Sequence, residues 1–141
     1  MVTGLTMTSC SDDEDDNNLA PVGTIAPPEW LIGTWEGESI FDQCEITENE
    51  VTVGLTSFKS LVDFSNAIVQ AFGGGSVKMK EIKKTDTEYE IGMETNSFGE
   101  KSTDSYYRFK KGDGTYIDLY TYDDETGKWG ESERYTKPTE K

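Results

Sequence analysis

The sequence contains no histidine, and its first Lys or Arg is Lys59. Without an imidazole there is no His-based triad, no His-ligated metal and no side chain that ordinarily titrates near neutral pH. Residues 1–58 hold twelve Asp or Glu and no base. The whole chain of 141 residues sets 28 acids against 13 bases, a net charge of −15. Phosphate backbones are bound through Lys and Arg patches, so nucleic acid is excluded as a partner, and an anionic lipid surface is disfavoured for the same reason. No apolar run approaches the roughly 18 residues that cross a bilayer as a helix. Cysteine is scarce, with only Cys10 and Cys44 and no Cys-x-x-Cys pair. Neither Gly73-Gly74-Gly75 nor Phe98-Gly99-Glu100 is followed by the Gly-Lys-Ser/Thr of a phosphate cradle. Acid pairs such as Glu36/Glu38 and Asp123/Asp124 are what 28 acids produce by chance, so no enzyme, cofactor or metal site is expected.

What the chain does have is alternation, with one break in it. Phe58, Leu61, Val62, Ser65, Ile68, Val69 and Phe72 recur at helical spacing and predict a helix over 57–72. Thr56 or Ser57 can cap its start, and Gly73-Gly74-Gly75 ends it. The rest is strand-like, seven or eight segments rich in Thr, Tyr, Val and Ile: 35–41, 44–53, 77–83, 87–95, 103–110, 115–122 and 128–136. The second can fold back at Glu48-Asn49-Glu50. Short loops between the later strands make neighbours antiparallel, hence a meander. Ile82 falls out of phase with Val77 and Met79, which predicts a bulge near Glu81.

Register follows from loop length. A three-residue loop at Gly112-Asp113-Gly114 pairs Phe109 with Ile117 and Tyr107 with Leu119. A four-residue loop from Asp124 to Gly127 pairs Tyr122 with Trp129 and Ile117 with Arg134. The inner face then carries Tyr89, Ile91, Met93, Tyr107, Phe109, Ile117 and Leu119. Arg108, Lys110, Tyr116, Asp118 and Tyr120 lie outside.

The N-terminal run Leu5-Thr6-Met7-Thr8-Ser9-Cys10 ends in small residues before its Cys. It resembles a lipobox, the cleavage site of a bacterial lipoprotein signal peptide. The acidic run Ser11-Asp12-Asp13-Glu14-Asp15-Asp16 behind it is similar to the export signal of Bacteroidetes surface lipoproteins. These resemblances imply that 1–9 is a signal-peptide remnant, that Cys10 is acylated, and that the protein sits on the outer membrane, facing outward. A self-repelling run of this kind stays extended. Residues 10–28, with Pro21, Pro27 and Pro28, are therefore expected as a disordered linker, followed by one domain over 29–136 and a tail over 137–141. An acylated Cys10 leaves Cys44 a free thiol, which is expected buried.

Gly33-Thr34-Trp35, at the head of that domain, resembles the Gly-x-Trp opening of lipocalins. The resemblance implies an all-β, up-and-down barrel; the helix departs from the family, whose main helix follows the last strand, and is expected here as an insertion after the second. The alternative is an α+β domain with one helix on an open antiparallel sheet. Lipocalins place a basic side chain from near their C-terminal end over this Trp, so Trp35 and Arg134 are expected to stack at the closed end of the barrel. The implied function is binding of a small neutral or apolar ligand, with Tyr89, Met93, Tyr107, Phe109 and Leu119 lining the interior. A Met and aromatic lining of this kind is more often plain core than ligand cavity. In that case the protein is a surface interaction protein, an accessory subunit of a nutrient-uptake complex or an inhibitor, with Tyr116, Tyr120 and Tyr122 exposed on its face.

Overall fold

The computed structural model describes residues 19–38, 42–123 and 125–137. Four strands come first: β1 (Gly33–Glu36), β2 (Gln43–Ile46), β3 (Val51–Val53) and β4 (Thr56–Ser57). The helix α1 (Phe58–Ala71) follows without a break. Then come β5 (Gly75–Lys84), β6 (Glu88–Ser97), β7 (Glu100–Lys111), β8 (Tyr116–Asp123), β9 (Lys128–Trp129) and β10 (Glu133–Thr136). All pair antiparallel in the order β4-β3-β2-β1-β10-β8-β7-β6-β5, with β9 beside β8. Two meanders thus join where β10 meets β1, and the sheet curls into a half-barrel. Its two edges are consecutive in sequence, linked by α1, which packs on β5 and touches β3 and β4. The helix fills the gap that a strand would fill in a closed barrel.

Helix and strands form for the reasons visible in the sequence. Ser57, with extended backbone, accepts Ser60 N–H at 3.1 Å on its hydroxyl, and the helix runs out at Phe72 before Gly73, whose φ is +85°. Phe58 and Val62 are buried against the sheet. Residues 47–50 turn β2 back on β3 as the sequence suggested, pairing Cys44 with Val53. The bulge lies between Glu81 and Lys83. β6 and β7 run further than expected and meet in a two-residue turn, Phe98-Gly99, in which both residues have positive φ.

The core is solid. Trp35, Tyr89, Phe58, Phe109, Ile91 and Ile117 have at most 2% of their surface exposed, each side chain contributing about 1.5–3 kcal/mol by burial. The Trp35 indole N–H donates to Leu31 C=O at 2.8 Å, so this buried polar atom is satisfied.

Three expectations need correction. First, only residues 1–18 of the expected leader and linker lie outside the described residues. Residues 19–28 are packed against the edge strand β5. Gly23 N–H donates to Met79 C=O at 2.8 Å, Ile25 is buried, and the Glu81 carboxylate accepts Ala20 N–H at 2.5 Å and Ala26 N–H at 2.7 Å. Tyr89 OH (2.5 Å) and the Lys84 ammonium (3.1 Å) complete the shell of this buried acid. This strap, with the Asn66 side chain accepting Val77 N–H at 2.9 Å, blunts an edge that would otherwise template pairing with another chain.

Second, β7 and β8 pair two residues away from the expected register, Phe109 with Leu119 and Lys111 with Ile117. The turn is Asp113-Gly114-Thr115, drawn tight by the Asp113 carboxylate, which accepts both the N–H and the hydroxyl of Thr115. A slip of two preserves the faces, so the inner set survives.

Third, Arg134 points outward. Tyr122 does pair with Trp129, but Leu119 pairs with Glu133 and Arg134 with Asp118. The intervening segment 130–132 carries one residue more than a continuous ladder would, which turns Tyr135 inward and Arg134 out. Arg134 bonds Asp118 at 2.9 Å and stacks on Tyr116 at 3.7 Å. The cation over Trp35 is Lys137, 5.0 Å from the ring.

Candidate functional site: a groove between helix and sheet

Among the described residues, the middle of the inner face is filled by buried side chains. Tyr89, Phe109 and Leu119, three of the five residues expected to line a ligand cavity, are sealed in the core, and Tyr107 is 93% covered. Burial holds the phenols of Tyr89 and Tyr107 above their ordinary pKa, in Tyr89 with help from its bond to Glu81. Burial likewise pushes the Cys44 thiol up to about 12, which makes it inert. These groups are structural.

Space opens instead where the helix leaves the core. A groove of about 380 Å³ lies between α1 and the far ends of β5, β6 and β7. The helix lends Ser65, Ile68 and Val69; the sheet lends Val77, Met93, Thr95, Asp104, Ser105 and Tyr106, and Tyr122 comes from β8. The volume falls within the roughly 300–1,000 Å³ typical of small-ligand pockets. Met93 is the member of the expected set that lines it. Ile68, drawn into the core by its helical phase, is 43% exposed because it faces this groove.

Sequence periodicity missed Asp104, Ser105 and Tyr106 because of a second bulge. Ile91 pairs with Tyr107 but Gly92 pairs with Ser105, so Tyr106 is extra on β7. Tyr106 and Tyr107 then both turn toward the helix, with Phe58 5.8 Å and 6.0 Å from their rings. From Tyr106 back to Glu100 the phase of β7 inverts, and Asp104 comes to lie opposite Met93 on the concave side. Two adjacent Tyr in one strand were the available signal. Gly92 makes the bulge possible, since a Cβ there would sit 2.0 Å from Asp104 C=O.

The outer face is laid out differently. Glu88, Lys110, Asp118 and Arg134 form a row of alternating charge across four strands, and Glu90 is bonded by Arg108 and Ser105. Arg108 stacks on Trp129 at 4.2 Å, and the Lys110 ammonium lies 5.2 Å from the Tyr120 ring. Tyr116, Tyr120 and Tyr122, expected as an exposed stripe, are each half-buried beneath these neighbours. Exposed aromatics lie elsewhere: Phe64 and Phe72 on the helix and Phe98 in the β6–β7 turn, 68–78% exposed. Among the described residues no three Cys, Asp or Glu gather as a metal site, and no helix is long and apolar enough to cross a membrane. The expected lipid-attachment residue, Cys10, lies outside the described residues.

Fold and site together define a barrel-like β domain with a helix in its wall and a groove beside that helix. No family model, curated protein or solved structure matches the chain.

Proposed function

We propose that this is an outer-membrane lipoprotein, anchored through an acylated Cys10 and displayed at the cell surface. Its lipocalin-like domain binds a small neutral or apolar ligand without transforming it. The groove carries the reading: it is concave, sized for a small molecule, and walled by Ile68, Val69, Val77, Met93 and aromatic rings. The ligand lies beside the helix rather than along the barrel axis. Native mass spectrometry of the protein purified from its own host tests this. A small-molecule adduct is expected on the wild type and is expected to vanish in Ser65→Trp, whose indole fills the groove. An adduct that persists in the variant, or none in either, refutes the site.

The second reading, a surface interaction protein, draws on the solid core and on the exposure of Phe72 and Phe98. The same spectra separate the two, because that reading requires a protein-sized adduct.

A further inference from the structure

The groove is apolar but not neutral, and its charge has one sign. Asp104 is the single charged residue in its lining. It faces the concave side, paired across from Met93, and among the described residues no Lys or Arg lies within ion-pair distance of it. The bases nearest in the sheet are committed to the opposite face. Lys80 bonds Thr103 at 3.2 Å and approaches Glu94 at 3.5 Å, and Lys101 also reaches toward Glu94. Asp104 is exposed, and Ser105, Tyr106 and Tyr122 share the groove lining with it. A carboxylate beside aromatic faces is the arrangement that attracts an ammonium group, through Coulomb attraction and the ring quadrupole together. The same carboxylate, in a chain of net charge −15, repels an acid.

We propose that the ligand is a small amphiphile with a cationic amine at one end, the amine at Asp104 and the apolar body along Ile68, Val69, Val77 and Met93. Fatty acids and other anionic amphiphiles are selected against. This rests on the groove of the reading above and departs from its neutral ligand only at the head group.

Titration calorimetry with three probes of equal length, decylamine, 1-decanol and decanoate, each below its micelle concentration, tests the assignment at pH 7. Wild type should bind decylamine about fivefold more tightly than decanol, as suits a partly exposed ion pair, and decanoate least. Asp104→Asn should bring decylamine level with decanol and leave decanol unchanged. Glu48→Gln, an exposed acid in the β2–β3 turn, controls for the diffuse negative field and should keep the preference. If decanol binds but decylamine gains nothing, or the preference survives Asp104→Asn, the amine assignment is overturned while the groove stands. If none of the three binds, the groove reading falls and this inference with it.

Discussion

Replacing Glu81 by Gln removes one charge and substitutes two donors for an acceptor, at a side chain with no solvent access. In the wild type one carboxylate oxygen accepts Ala20 N–H and Lys84, and the other accepts Ala26 N–H and Tyr89 OH. The Tyr89 hydroxyl can rotate to accept from the new amide, but a backbone N–H cannot. Whichever way the amide turns, one strap N–H faces another donor. An orphaned buried N–H costs about 1–3 kcal/mol, and the surviving bonds lose their charge assistance, roughly half their strength. The sum is about 2–4 kcal/mol. For a domain of this size that lowers Tm by about 10 °C, and urea denaturation should show the same loss with little change in slope. Amide exchange locates it. The Gly23 N–H, held by Met79 C=O, should lose protection far more than the β6–β7 ladder does. Glu88→Gln, which weakens partly exposed contacts with Lys83 at 2.7 Å and Lys110 at 3.8 Å, should cost under about 1 kcal/mol. A Glu81→Gln protein as stable as Glu88→Gln, with Gly23 still protected, would show that the strap does not depend on this acid.

Two further outcomes are expected. Palmitate supplied to the host should label the full-length protein and not Cys10→Ala; equal labelling of both would remove the anchor from the proposal. Cys44 has its folded pKa raised from 9.0 to about 12 by burial, so above pH 9 the unfolded chain releases a proton that the folded chain keeps. Stability should therefore be complete below pH 9 and fall as pH rises toward 12, with Cys44→Ala flattening the first part of that decline. An unchanged profile in the variant would contradict a buried, protonated thiol.

Periodicity was a good guide to which face a side chain occupies, and a poor one where the chain inserts a residue. The helix, the inward set from Tyr89 to Leu119 and the bulge at Glu81 all follow from spacing. Arg134 does not, because the extra residue in 130–132 leaves no trace in alternation when that segment is Gly-Glu-Ser. Asp104 was missed for the same reason, one bulge away at Tyr106. The strap was missed because a Glu in a Lys-rich stretch, beside Lys80 and near Lys83 and Lys84, reads as solvated surface. Its phase with Val77 and Met79 was the better clue, since inward-pointing positions bury whatever occupies them. The groove itself is a relation between α1 and four strands, which no local pattern encodes.

In a closed barrel the bore is set by strand number and stagger, and widening it means breaking rungs of main-chain hydrogen bonds. Here the wall is continuous around most of its circumference and then interrupted by a seam held by side chains along α1, from Phe58 and Val62 to Asn66. A helix can slide or tilt along such a seam without cutting any rung of the sheet. The calibre of the groove is therefore written in a few helix side chains, Ser65, Ile68 and Val69 among them. It can be retuned one substitution at a time, while the strands that hold the fold together remain as they are.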